Sequence, residues 1–305
     1  MGMESQVAVK PAKRKKERHP IQRSVEAVFF LCALVSVFAI ATMTIYIIAS
    51  GTPAIFKIGP LEFLFGPKWK PAEEKFGILP MVITSLAATS LSVAIGSLIG
   101  ILTAVFLAEL APKWLYNIVK PSVELLAGIP SVVYGYFGMT IIVPFIRTLT
   151  VNNPDNKGFS LLAVIVILSV MILPTIISIS LSSIKAVPKA YKEGSLALGA
   201  SHVQSIFKTT LPAARSGILA AVMLGIGRAV GETMAVIMVA GNIPQIPTSL
   251  FDPVRTLTIN IAFEMNYAKD LHREALFATG VVLFVIIMVL NIIINGILKK
   301  REVQS

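Results

Sequence analysis

Two opposite charges stand four residues apart in an otherwise apolar stretch of the sequence, GIGRAVGETMAV (residues 225–236). Arg228 offers a planar guanidinium whose donors match the oxygens of an anion, and Glu232 offers a carboxylate that can neutralise it. At this spacing the two side chains share one face of an α-helix. The pattern predicts either a transient contact with a passing anion or a static ion pair that joins helices.

The elements that must position this pair are membrane spans. Of the 305 residues 55% are hydrophobic and 14% are charged, and the mean hydropathy is +0.80. This composition indicates an integral membrane protein, because a spanning helix needs about 20 mostly apolar residues. Six runs meet that need, which predicts an all-α fold with one membrane domain over residues 25–298. The predicted spans are 25–49, 78–107, 118–146, 160–184, 216–240 and 275–298.

The third predicted span contains a helix break. Pro130 lacks the N–H that continues a helix, and Gly128 stands beside it without a side chain. Irregular backbone at membrane depth is tolerated where it is buried in protein or faces a watery cavity. Glu124 precedes this break and is a second candidate partner for Arg228, which is expected at the centre of the fifth span. We therefore predict a path for an anion past Arg228, Glu232 and Glu124.

The chain has 27 Lys and Arg residues, and their distribution predicts the topology. Many lie in the tail 1–24, after the second and fourth spans, and in the tail 299–305. Basic residues mark the cytoplasmic side of a membrane protein, so both termini are expected there. The net charge of +11 is then explained by topology and by contact with membrane lipid, without nucleic acid. A cleaved signal peptide is disfavoured, because the first apolar run is too long.

The cytoplasmic loop 185–215 predicts two short helices. Gly199 suits the position just past the end of the first helix, where a left-handed backbone favours glycine. Ser201 has a glutamine three residues later, the spacing of a capping box that opens the second helix. Val203, Ile206 and Phe207 then fall on one face. The loop is therefore a helix-turn-helix with an apolar stripe, either docked on another protein or lying on lipid.

This loop resembles the EAA loop of ABC-importer permeases. That pattern is E-A-A, three residues, G, nine residues and I-x-L-P, and it is matched in register by Glu193, Gly199, Leu211 and Pro212. Small residues replace the two alanines, and Thr209 stands where isoleucine is usual. The resemblance implies that these residues, with Val203 and Phe207, dock on a separate cytoplasmic ATPase.

Two further stretches, PSVELLAGIPSVVYGYFG (residues 121–138) and GRAVGETMAV (residues 227–236), resemble phosphate-specific importer permeases. The basic N-terminus and the sizeable first outside loop favour the PstC type of that family over the PstA type. This resemblance implies the type I ABC importer permease fold and a non-catalytic subunit in the plasma (inner) membrane of a bacterium or archaeon. It implies four kinds of partner: a sister permease (PstA type), two ATPase subunits (PstB type), an extracytoplasmic phosphate-binding protein (PstS type) and membrane lipid. ATP and Mg would be bound by the ATPase, so no cofactor is expected in this chain, and Arg228 would meet phosphate.

Other classes of function fit the sequence less well. An ion-coupled secondary transporter would leave the EAA-like loop unexplained, and no internal repeat is visible. An enzyme or metal site would need clustered ligands, whereas the three histidines lie outside the predicted spans and are expected at the surface. The sequence also lacks the G-x-x-x-x-G-K-[ST] pattern of an ATP-binding P-loop. Among importer permeases, another oxyanion such as sulfate or molybdate is the alternative substrate.

Overall fold

The computed structural model describes residues 20–149 and 157–302. These residues are mostly helical, which confirms the all-α fold class. Six of the described helical segments are long and apolar enough to cross a membrane, as predicted. Parts of the predicted tails and of one predicted loop, residues 1–19, 150–156 and 303–305, lie outside the described residues. The six segments are Val25–Ile58, Leu79–Leu110, Ser131–Leu149, Leu161–Lys185, His202–Gly231 and Asp270–Ile293.

Short elements join the long helices. An antiparallel hairpin pairs β1 (Trp69–Lys70) with β2 (Lys75–Phe76). Three π-helical turns, Phe106–Leu110, Gly138–Ile142 and Ile206–Thr210, continue helices with a wider winding that often marks functional regions. In chain order the described helices are α1 (Pro20–Ile58), α2 (Pro60–Phe65), α3 (Leu79–Val105), α4 (Lys113–Ala127), α5 (Ser131–Phe137), α6 (Val143–Leu149), α7 (Leu161–Lys185), α8 (Lys189–Ala197), α9 (His202–Ser205), α10 (Leu211–Gly231), α11 (Met234–Ile237), α12 (Leu257–Glu264) and α13 (Asp270–Glu302).

The chain divides after Tyr46 into two compact units. The described part of the first unit is the beginning of α1, whose apolar side chains are exposed. In the second unit α7 is central and largely buried, and α3 and α10 pack against it. Glycines permit the close approach of α3, because a Cβ on Gly96 or Gly100 would lie only 2.7 or 2.8 Å from side-chain atoms of Ile172 or Ile176.

The third span is shorter than predicted, because residues 118–130 do not belong to it. α4 ends at Ala127 with Gly128 as its C-cap, and α5 begins at Ser131 after the extended Pro130. The predicted break is confirmed, but α4 is a separate helix with one apolar face and one polar face rather than the first half of the span.

The fifth span also differs from its predicted bounds, because its helix ends at Gly231 instead of continuing to residue 240. Glu232 is extended (φ −71°, ψ 129°), and the short helix α11 follows. The Glu232 carboxylate accepts a hydrogen bond from the Ala235 N–H at 3.0 Å, which satisfies one of the free donors at the start of α11. At its other end the helical segment begins at His202, well before the predicted start.

Candidate functional site

Arg228 lies in the last turn of α10 and faces α7. Its Nη1 donates to the Thr175 hydroxyl at 3.4 Å, which is long for a hydrogen bond and therefore weak. Among the described residues no carboxylate forms an ion pair with Arg228 within 4.0 Å. The guanidinium is only partly buried, so most of its donors are available to another partner.

The predicted pairing of Arg228 with Glu232 on one helical face is wrong, because α10 ends between them. Glu232 stabilises the turn that follows α10. Its carboxylate binds the Ala235 N–H, and its backbone carbonyl accepts a hydrogen bond from the Thr258 hydroxyl of α12 at 3.1 Å. These contacts fix the position at which α10 stops and thereby the position of Arg228.

Glu124, the third predicted residue of the path, is also not paired with Arg228. It forms an ion pair with Lys120 across one turn of α4 at 3.5 Å. Both residues line a cavity of about 270 Å³ that also contains Tyr116 and Lys185. The Lys185 ammonium lies 3.6 Å from the centre of the Tyr116 ring, and its hydrogen bond to that phenol lowers the pKa of Tyr116.

Sequence patterns missed Thr175 as the contact of Arg228 and Tyr134 as a contact across the helix break. The Tyr134 hydroxyl donates to the Leu126 carbonyl at 2.8 Å and so joins α5 to the end of α4 across the break. The contact of Arg228 with Thr175 joins the fourth and fifth spans. A threonine directly after a proline inside an apolar span was the one signal that could have identified Thr175.

A buried polar cluster beyond the end of α10 was also missed. Glu264, with a side chain only 7% exposed, accepts hydrogen bonds from Arg255 Nη1 at 2.5 Å and from Trp69 Nε1 at 2.8 Å. Arg255 binds Oε1 of this carboxylate, and Trp69 binds Oε2, from which His272 Nε2 also lies 2.8 Å away. His272 is thus largely buried, which corrects its expected surface position. Arg255 Nη1 also donates to the side-chain amide oxygen of Asn260 at 3.1 Å, and the cluster holds β1, α12 and α13 together.

The helix-turn-helix of the loop 185–215 is confirmed, but its second helix is not a separate short helix, because it continues through the π-helical turn into α10. α8 ends at Ala197, and Gly199 has φ +86°, the left-handed conformation predicted for it. Ser201 and Gln204 form the predicted capping box, in which each side chain binds the backbone N–H of the other residue at 3.2 and 2.9 Å. The turn geometry therefore follows from the local sequence.

Two of the three side chains of the predicted apolar stripe are uncovered, whereas Ile206 is buried against the membrane helices. Val203 and Phe207 are exposed, and Leu198 is 91% exposed at the turn. Pro212 is exposed at the start of α10, whereas Leu211 is partly buried against the membrane helices. An exposed apolar patch on the end of a helical bundle is typical of a docking surface for another protein.

The polar side of α8 faces the end of the second span. Glu193 lines a cavity of about 540 Å³ together with Lys192 and Glu109. Lys192 forms an ion pair with Glu109, which lies in the π-helical turn after α3. The helix-turn-helix is thus attached to α3 as well as to α10, with which it is continuous in sequence.

Residues 96–303 match the family described as "Binding-protein-dependent transport system inner membrane component". The chain is 41% identical over 278 residues to the probable ABC transporter permease protein YqgH of Bacillus subtilis, with 89% of each chain covered. It is 32% identical to the phosphate transport system permease protein PstC of Haemophilus influenzae (89% and 91% covered). It is 34% identical to PstC of Mesorhizobium japonicum (90% and 88% covered).

Solved structures show the same fold at lower sequence identity. A chain of the MetNI methionine ABC transporter in an inward-facing conformation aligns with a TM-score of 0.59 and 22% identity, covering 76% of this chain and 99% of that one. A chain of a bacterial ABC transporter that imports the acidic polysaccharide alginate aligns with a TM-score of 0.57 and 18% identity, covering 92% and 99%. These matches show the type I ABC importer permease fold.

Proposed function

Because the chain belongs to the family of binding-protein-dependent transport system inner membrane components, we propose that it is a permease subunit of an ATP-driven importer of inorganic phosphate. The observation that carries the substrate assignment is the similarity to two PstC proteins along about nine-tenths of the chain. An ATPase and a binding protein belong to any such importer. Their finer identities, a PstA-type sister permease, PstB-type ATPases and a PstS-type binding protein, are part of this proposal.

Arg228 is the proposed phosphate contact in the membrane. Its guanidinium has no carboxylate partner within 4.0 Å among the described residues, and the Thr175 bond that holds it is weak. An arginine fork in a low-dielectric environment binds a phosphate through two parallel hydrogen bonds. Glu232 acts as a positioning residue, because its contacts with Ala235 and Thr258 hold the turn behind Arg228. Thr175 orients the guanidinium until phosphate takes the place of the Thr175 hydroxyl as its hydrogen-bond acceptor.

The proposed ATPase contact is the helix-turn-helix of residues 185–215. Its exposed side chains at Leu198, Val203 and Phe207 form the apolar part of the surface, and Glu193 and Pro212 border it. Gly199 sets the angle between the two short helices, and Leu211 anchors the second one in the membrane domain. Movement imposed by the ATPase would pass into α10 through the continuous backbone and into α3 through Lys192 and Glu109.

The decisive experiment is reconstitution with the proposed partners in lipid vesicles and measurement of ATP-dependent phosphate uptake. Sulfate and molybdate serve as competing substrates. If either is taken up in preference to phosphate, that oxyanion is the substrate instead. Arg228→Gln and Arg228→Lys should both abolish uptake while the complex assembles, because neither side chain offers the planar fork. The exchange Arg228→Glu with Glu232→Arg should not restore uptake, since the two residues are not paired. ATP hydrolysis by the isolated chain would contradict the proposal.

The proposed orientation places both termini and the helix-turn-helix in the cytoplasm. It is tested by single cysteines at Lys70 in the hairpin and at Lys208 in the π-helical turn before α10, both of which are exposed. The background is Cys32→Ser, which removes the one native thiol. An impermeant maleimide should label the two positions from opposite sides of the membrane. Labelling of both from one side would contradict the orientation.

A further inference from the structure

A row of hydroxyl groups runs along one face of α7 from Arg228 toward the end of the helix. Thr175, Ser178 and Ser182 are spaced at i, i+3 and i+7, so they share a face of a helix that is otherwise mostly apolar. Lys185 ends the helix three residues later. Thr175 receives the hydrogen bond of Arg228, while Ser178, Ser182 and Lys185 line the 270 Å³ cavity. The row spans about 15 Å of helix from Thr175 to Lys185 and so connects the guanidinium with the cavity.

The cavity lies where α4 packs against α7. Val123 of α4 is buried against Ile177 and Leu181 of α7, which sets the distance between the two helices. Lys120 and Glu124 flank Val123 and line the space beside it. A volume of about 270 Å³ equals roughly nine water molecules at about 30 Å³ each, which is room for a small oxyanion with part of its hydration shell.

The charges around the cavity favour an anion. Two ammonium groups, on Lys120 and Lys185, face one carboxylate, on Glu124. Lys120 is partly neutralised by Glu124 at 3.5 Å. In the described part of the chain no carboxylate lies within ion-pair distance of Lys185, which rests over the ring of Tyr116 instead. An ammonium has three donors, so the contact of Lys185 with Tyr116 leaves donors for an incoming oxygen ligand.

We propose that this cavity is a second, weaker phosphate site, at which the ion pauses after Arg228 and before release. The inference rests on the proposed function. The ligand chemistry is a phosphate group, which the transported ion or an anionic lipid headgroup could supply, and the hydroxyl row from Arg228 favours the transported ion. Lysines act as point charges without the arginine fork, so they hold phosphate less tightly. The Glu124 carboxylate repels phosphate and so lowers the affinity of the site further, which favours release of the ion.

The site is tested by inhibition from the product side. Vesicles that contain the assembled complex are loaded with ATP and with increasing unlabelled phosphate, and initial uptake of radiolabelled phosphate is measured with binding protein outside. Luminal phosphate should slow the wild type by occupying the cavity. Lys185→Gln should raise the half-inhibitory luminal concentration about tenfold, as expected for the loss of a charged hydrogen bond. Glu124→Gln should lower that concentration, because it removes a repelling charge.

Lys113→Gln is the matched control, since Lys113 is exposed on α4 and does not line the cavity. Lys120→Gln is an independent variant should Lys185→Gln fail to assemble. An unchanged half-inhibitory concentration in Lys185→Gln, or a wild type that luminal phosphate does not inhibit, would overturn the inference. So would an effect of Lys185→Gln that requires phosphatidylglycerol in phosphatidylcholine vesicles, because the occupant would then be a lipid headgroup. A wild type without phosphate uptake would instead refute the proposed function.

Discussion

Removal of the Glu264 carboxylate should destabilise the protein more than any surface substitution. This side chain is only 7% exposed, and Arg255, its ion-pair partner at 2.5 Å, is 9% exposed. Glu264→Ala leaves the guanidinium buried without its counter-charge, which costs about 3–5 kcal/mol. It also leaves the Trp69 N–H and the His272 ring nitrogen without their acceptor. Glu264→Gln keeps one acceptor oxygen and should therefore lose less stability than Glu264→Ala.

The assay is thermal unfolding of the purified protein in detergent, followed by the helical circular dichroism signal. At roughly 2–4 °C per kcal/mol, the loss predicted for Glu264→Ala lowers the melting temperature by at least about 6 °C. The cluster fixes α12, whose Thr258 holds the Glu232 carbonyl at 3.1 Å. Phosphate uptake by the assembled complex should therefore fall together with stability.

The matched control is Glu274→Gln. Glu274 lies on the same helix as His272 and forms an ion pair with Lys57 at 2.7 Å, but both partners are well exposed. Exposed pairs contribute no more than about 1 kcal/mol, so the control should unfold close to the wild type. If Glu264→Ala and Glu274→Gln unfold at the same temperature, the buried cluster does not stabilise the fold as argued.

Two further predictions concern the helix-turn-helix. Gly199→Val should reduce copurification of the ATPase, because valine strains a backbone with φ +86°. Gly194→Val should not, because Gly194 has an ordinary φ and no atom lies within 4 Å of an added Cβ. Equal copurification of the two variants would contradict the role of the turn. Lys192→Glu and Glu109→Lys should each uncouple ATP hydrolysis from uptake without loss of assembly, and the double exchange should restore uptake. Failure of the double exchange would show that the pair does not link α8 to α3.

Several features could be predicted from the sequence because they depend on local interactions. The number of spans follows from the lengths of the apolar runs. The left-handed Gly199 and the capping box at Ser201 involve groups within a few residues of each other, so their spacing alone predicts them. The break before Ser131 follows from Pro130, which lacks the backbone donor. The resemblance of the loop to the EAA loop could also be read from the sequence, because the matching residues stand at fixed spacings within one short segment.

The ends of the spans and the partners of the charges were decided by tertiary structure. Apolar residues continue past Gly231, so hydropathy gave no reason to end α10 there, and Thr258 from another helix holds the turn that follows. Arg228 meets Thr175 across 53 residues of chain, and Trp69 meets Glu264 across 195. A charge in an apolar segment must find a partner, but sequence spacing identifies that partner only when both stand on one continuous helix. Here the helix ends between Arg228 and its predicted partner, so that Arg228 contacts Thr175 of the fourth span while Glu232 contacts Ala235 and Thr258.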